Sequence, residues 1–279
     1  MAASDTSTRV LVLRPTSALS WQDIRDAWEH RELLWVLALR EVRVRYKQAS
    51  LGIAWALLQP LAQMVVFTVL FNRFAGIRGD GGVPYPVFAF AGLLVWGLFA
   101  SGLQNASESL LRGEALVTKV YFPRVLLPLA SILTAIVDAA VASILLLALM
   151  IVMGASFHLS MLLAPLVLGV SALCAAALGM WTSALNLQYR DVRHAMPLVI
   201  QLGAYATPVF YTASLVPEKY RGLLALNPMA AVVESFRAAL FGSPIPFGRL
   251  LLAAGVAMVV GLLGFVRFRA LEKTFADRI

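Results

Sequence analysis

Few residues in this chain can do acid, base or nucleophilic chemistry, and those few are scattered. The histidines, His30, His158 and His194, fall on different segments without metal-ligand spacing, and no Ser/His/acid set shares a neighbourhood. No metal site and no catalytic residue is expected. Lys47, Lys119, Lys219 and Lys273 all lack the preceding glycine of a phosphate-cradling Gly-Lys-Ser/Thr loop, so any ATP must be bound by another chain. The one cysteine, Cys174, lies in an apolar run, allows no intrachain disulfide and reads as packing. Asp138 is the sharpest single residue. It stands mid-way along an apolar run, where a bare acid costs about 2.5–3.5 kcal/mol to insert into a bilayer. It must face protein or water, or be protonated. A proton-coupling role competes with a hydrogen-bonded packing role, and the other apolar runs offer no second ionisable member at comparable depth, which favours packing.

Uncharged polar residues give a second set. Gln59 and Gln63 share a helical face beside Pro60, which is expected to kink its helix, and Gln201 and Tyr205 do the same between Pro197 and Pro208. Such faces suit either a cavity lining or helix-to-helix hydrogen bonds. Ser171, Ala175, Gly179 and Ser183 recur every four residues, the small-residue pattern that lets helices approach closely.

The elements that must position these residues are membrane helices. The chain is 60% hydrophobic and 14% charged with a mean hydropathy of +0.81, far from the balance of soluble domains. Its net charge of +8 does not point to nucleic acid, because Lys and Arg flank apolar runs rather than forming a patch on a polar domain. Crossing about 30 Å of hydrocarbon takes roughly 20 helical residues. Six runs have that length, near 51–72, 87–107, 125–153, 161–185, 195–216 and 248–266, and none shows barrel-like alternation. The expected fold is an all-α membrane protein with a six-span domain over 51–266, an N-terminal extension (1–19, without signal-peptide character), an interfacial region (20–50) and a cytoplasmic tail (267–279). Lys and Arg divide 17 against six between alternate sides, which predicts both termini in the cytoplasm.

In 20–50, Ser20 is a candidate N-cap and Trp21, Trp28 and Trp35 are spaced seven apart, with Arg40, Arg43 and Lys47 as a cationic stripe. This predicts one or two helices on the cytoplasmic membrane surface, against the plainer reading of a solvated basic flank. Between the fifth and sixth runs, Asn227, Pro228 and Gly242 predict the cap, first turn and end of a short re-entrant or interfacial outer helix. Met229, Val232, Val233, Phe236 and Leu240 are placed on one face and Glu234 and Arg237 on the other.

The segments "RELLWVLALREVRVRYKQASLGIAWALLQPL" (31–61), "VPYPVFAFAGLL" (83–94), "LVTKVYFPRVLLPL" (116–129), "LNLQYRDVRHAMP" (185–197) and "ASLVPEKYRGLLALNPMAAVVESFRAALFG" (213–242) resemble the membrane subunits of bacterial polysaccharide ABC exporters, most nearly the O-antigen type. Capsule and teichoic-acid exporters share the resemblance, and a smaller lipid or drug cargo is the nearest rival. A secondary transporter would want inverted repeats, and none is evident. The resemblance implies a permease in the inner membrane that pairs with a second copy of itself and with two ATPase subunits carrying ATP and Mg, its cargo a lipid-linked polysaccharide.

By the same match, 107–124 is the first cytoplasmic loop with its coupling helix, which singles out Glu108, Arg112, Glu114, Lys119 and Arg124, with Arg190 and Asp191 in the second loop as an expected bracing ion pair. Tyr121 and Phe122 are expected to anchor that loop at the membrane interface. Residues 217–242 match the outer gate, with Asn227, Pro228, Glu234, Phe236 and Arg237, and the helix at 29–48 matches one flanking the channel's lateral opening. Rings that stack on pyranose faces suit a sugar channel, so Trp55, Phe67, Phe88, Phe90, Trp96, Phe99 and Tyr205 join Gln59, Gln63 and Gln201 as candidate lining.

Overall fold

The computed structural model describes residues 25, 29–47, 54–74, 76, 82–119 and 122–272. The expectations for Ser20, Trp21, Trp28, Tyr121 and both chain ends lie outside the described residues, as does the side chain of Trp55. Among the described residues every regular element is helical: α1 (Arg31–Lys47), α2 (Ala54–Phe67) running on as a π-helical stretch (Thr68–Phe74), α3 (Tyr85–Arg112), α4 (Glu114–Lys119), α5 (Leu126–Val152), α6 (Ala164–Gln188), α7 (Asp191–Ala206), α8 (Glu218–Leu226), α9 (Pro228–Phe241) and α10 (Phe247–Glu272). Short 3₁₀ turns at Leu159–Leu163 and Ala213–Leu215 complete it.

Five of these helical stretches are long and apolar enough to cross a membrane, and the bent pair α8–α9, folded by 97°, makes a sixth if it counts as one span. The chain is therefore a multi-pass membrane protein, with one correction to its expected spans. The run 195–216 is not one helix. Helix α7 starts earlier, at Asp191, and stops at Ala206 after 16 residues, about 24 Å at 1.5 Å per residue and short of the hydrocarbon thickness. Pro208 is the cause: it drives the residue before it out of the helical region, and Thr207 is extended (φ −105°, ψ 142°). Pro60 and Pro197, by contrast, sit inside continuous helices.

Helix α3 is the axis of the fold. In its most apolar window 78% of residues are buried, against 6% for Leu57–Phe74, so α3 is wrapped by protein and the first span is mostly bare. It packs most extensively on α5 and α6, and α10 closes on α6. The small-residue stripe explains the closeness: Ser171, Ala175, Gly179 and Ser183 are all buried, and a Cβ on Gly179 would stand 2.7 Å from the Ala106 Cβ of α3. Gly179→Val must push α3 and α6 apart, at a cost of about 1–3 kcal/mol or more. Its expected signature is a melting midpoint of the purified protein lowered by several degrees.

One end of the bundle, here the basic end, holds α4, the α6–α7 junction and the end of α10. The opposite end holds 153–163 and 207–246. Helix α1 does not stand apart from the bundle. It packs lengthwise on α5, burying Leu37 and Ala38, while Trp35, Val36, Leu39 and Val44 remain exposed on its other side.

Candidate functional site

At the opposite end the broken backbone after α7 organises the site. A chain that leaves its helix inside a membrane bundle frees carbonyls that hydrocarbon cannot satisfy, so it survives only where protein supplies donors. Every carbonyl from Ala206 to Tyr211 has one. Asn227 Nδ2 donates to the Ala206 oxygen (3.4 Å), and the Val209 N–H to that of Thr207 (2.6 Å). The Arg237 guanidinium donates to Pro208 (2.6 Å), Val209 (2.5 Å) and Tyr211 (3.3 Å), and the Tyr85 hydroxyl to Phe210 (2.7 Å).

Arg237 also donates to the Phe88 carbonyl (3.2 Å) and lies 3.6 Å over the Phe88 ring. It is only 7% exposed, which corrects its expected place on a polar helix face. The backbone of α3 comes close enough at Gly92 that a Cβ there would collide with the guanidinium and with the Val209 oxygen. The Tyr211 hydroxyl donates to the Tyr205 carbonyl (3.0 Å).

The rest of the expected outer gate gathers on the same unit. Asn227 caps α9 by accepting from the Met229 N–H (3.0 Å) and donates to Thr207 Oγ1 (2.9 Å), Pro228 occupies the first turn, and Gly242 ends the helix at φ +73°. Glu234 pairs with Arg249 of α10 (2.7 Å), and Phe236 is buried in the core.

The candidate lining residues separate into two groups. Gln59 and Gln63 on α2 and Gln201 and Tyr205 on α7 are exposed, on helices whose outer faces are otherwise bare and apolar (Val65, Val66, Leu198, Leu202). Phe67 joins the two helices through a residue the sequence reading did not single out: Phe210 stacks on Phe67 with centroids 3.6 Å apart and lies 6.1 Å from Tyr205. Phe88 and Phe90 are in the other group, 1% and 0% exposed. In this conformation they are core, not lining, because the central helix α3 that carries them is covered on all sides. Trp96 and Phe99 lie at the floor of an apolar pocket of about 390 Å³, open on one side, between α3, α6, α7, α10 and the start of α9.

At the basic end the expected coupling residues also divide. Arg112, Glu114 and Lys119 are exposed, Arg112 donating to the Asn105 carbonyl (2.6 Å), and Glu108 accepts from Gln104 (2.5 Å) on the last turns of α3. Arg124 is half-buried. Its backbone N–H donates to Glu272 Oε1 (3.0 Å) and its guanidinium to the Glu272 carbonyl, which ties the loop to the end of α10. Phe122 is buried with Leu126, Leu127 and Phe268, a correction to its expected anchoring at the membrane interface. Asn186 donates to the Ser107 carbonyl (2.9 Å), so the ends of α3 and α6 meet here. Arg190 and Asp191 do not pair with each other, since neighbours at a helix start point apart; Asp191 instead lies in the first turn of α7, where the helix dipole favours an acid.

Asp138 has partners that the apolar runs alone did not offer. Arg45 and Tyr46 of α1 both donate to its carboxylate.

Comparison with known proteins agrees with this architecture. Residues 32–241 match the family described as ABC-2 type transporter. The O-antigen export system permease protein RfbA of Myxococcus xanthus is 30% identical over 264 residues, covering 92% of this chain and 98% of the relative. An O-antigen export system permease protein RfbA of Klebsiella pneumoniae is 25% identical over 248 residues (88% and 94%). The polysialic acid transport protein KpsM of Escherichia coli is 24% identical over 244 residues (85% and 92%). With most of its length matched and its helices arranged as a multi-pass bundle, this chain belongs to the ABC-2 type transporter family.

Proposed function

We propose that this chain is the permease of an exporter that carries a lipid-linked polysaccharide of the O-antigen type across the bacterial inner membrane. The observation that carries the reading is the near end-to-end match to an O-antigen export permease, over 92% of this chain and 98% of the relative. The permease works as a homodimer joined to two copies of a separate subunit that binds ATP and Mg. Both termini and the basic end are cytoplasmic, in keeping with the 17-to-six division of Lys and Arg.

On this reading the exposed Arg112, Glu114 and Lys119, with Arg190 and Asp191 close by in sequence to the α6 terminus, meet the ATPase subunit. The bare faces of α2 and α7, with Gln59, Gln63, Phe67, Gln201 and Tyr205, line the passage, and the buried Phe210 backs Phe67; glutamines offer hydrogen bonds to sugar hydroxyls and rings offer stacking faces. The α8–α9 unit, fixed by Arg237 and Asn227, forms the outer gate. A capsule-type glycan is the second reading, favoured by the match to the polysialic acid transport protein.

Deleting the gene in its host is the direct test. Surface glycan should disappear while a lipid-linked glycan accumulates on the cytoplasmic face, and the sugars of that intermediate separate O-antigen from capsule. Unchanged surface glycan with no accumulating intermediate would remove the polysaccharide reading.

A further inference from the structure

We propose that Asp138 holds α1 to α5 through a polar latch, so that the N-terminal helix and the third apolar helix travel as one body. The two helices run in parallel register. Near the basic end Leu37 and Ala38 pack in one cluster with Leu126, Leu127 and Ala130. One turn of α1 further on, Glu41 accepts from Ser131 Oγ (3.1 Å) and Thr134 Oγ1 (3.3 Å). One more turn on, Arg45 and Tyr46 donate to Asp138. Ser131, Thr134 and Asp138 are spaced i, i+3 and i+7, one face of α5, and Glu41 and Arg45 are spaced i, i+4 on α1.

Asp138 lies about 18 Å along α5 from Leu126 at 1.5 Å per residue, so the charged contact is the one farthest from the basic end and the apolar contact the nearest. A partly buried charged pair is stable only while both members stay together, because removing one partner strands the other. The side chains of Arg45 and Asp138 are 33% and 20% exposed, enough screened from solvent for the pairing to matter. Asp138 is thus a positioning residue: it supplies the partner that lets Arg45 and Tyr46 sit against α5, and the seam slides only if Glu41, Arg45 and Asp138 give up their contacts together.

The latch rests on these contacts alone and not on the cargo, so its test uses no export assay. The full-length chain in nanodiscs, open to protease from both sides, would be treated with trypsin. Helix α1 carries exposed sites at Arg40, Arg43 and Lys47, protected by helical structure and packing, and cleavage there follows local opening of the helix. Asp138→Asn keeps the shape of the side chain and removes its charge. Cutting at Arg40, Arg43 and Lys47 should accelerate at least about tenfold while cutting at Lys219 and Arg221, on α8, is unchanged. The exchange Arg45→Asp with Asp138→Arg should restore protection at the remaining sites to within about threefold of the original chain. Asp138→Asn cut at the original rate would overturn the latch. So would equal acceleration at Lys219 and Arg221, which would make Asp138 a support of the whole bundle, or an exchange variant as labile as Asp138→Asn.

Discussion

Replacing Arg237 by Met should abolish surface glycan and lower the melting midpoint of the purified protein by about 10 °C or more. The side chain is the donor for the buried carbonyls of Phe88, Pro208 and Val209 and for the partly buried carbonyl of Tyr211. Leaving a buried acceptor unpaired costs about 1–3 kcal/mol, so the loss is at least about 3 kcal/mol and on the order of 6 kcal/mol at mid-range. For a chain of this size each kcal/mol moves the midpoint by about 2–4 °C. Met fills the volume and keeps the stem apolar, so the change reports lost donors rather than a cavity. Arg237→Lys should fall between the two, because an ammonium is a compact donor that cannot fork to carbonyls lying in several directions. Gly92→Val should resemble Arg237→Met for a different reason: its side chain would occupy the space of the guanidinium and of the Val209 oxygen. Normal melting together with normal export in Arg237→Met would mean that the broken segment 207–211 needs no clamp.

The same segment shows where sequence reasoning reaches its limit. Five apolar runs became helices close to their expected places, because length and uniform hydropathy leave a membrane chain few choices. The cap at Asn227, the proline after it and the glycine at the end of α9 were legible too, since each acts through its own local backbone. The fifth run is not one continuous helix, and apolar length carries no signal of the break at Pro208, although a proline that frees carbonyls and an Arg set in a neighbouring apolar helix are a pairing to look for. Facing was not legible for aromatics. In helices apolar on every side, Phe90 and Tyr205 carry no mark of which is core and which is bare, and only the central position of α3 decides it. Asp138 was found but its partners were not, because the register of α1 along α5 is a tertiary fact.

Lys119 and Arg124 look equivalent in sequence, two cations in one loop, and the structure predicts that they fail differently. Arg124 binds the end of α10 through its backbone N–H and its guanidinium, whereas Lys119 is exposed at the end of α4. Arg124→Glu would set a carboxylate against the Glu272 main-chain carbonyl and near its side chain. It should lower the melting midpoint by several degrees and lose export as a consequence. Lys119→Glu should leave melting within about 1 °C, since substitutions at exposed positions away from such contacts usually lie within ±0.5 kcal/mol. If Lys119 meets the ATPase subunit, the reversal should still reduce export and co-purification of that subunit at least about tenfold, which corresponds to about 1.4 kcal/mol of lost interaction. Lys119→Gln separates charge repulsion from lost attraction and should be the milder change. A single reversal barely alters the 17-to-six bias of Lys and Arg, so inverted insertion does not explain such a loss, and cysteine labelling of the loop checks it. Full export with full co-purification in Lys119→Glu would move the docking surface away from α4. The exposed Arg190 and Asp191 beyond the end of α6 would then be the residues to reverse next, because Asn186 and Ser107 bring the ends of α6 and α3 together at the same end of the bundle.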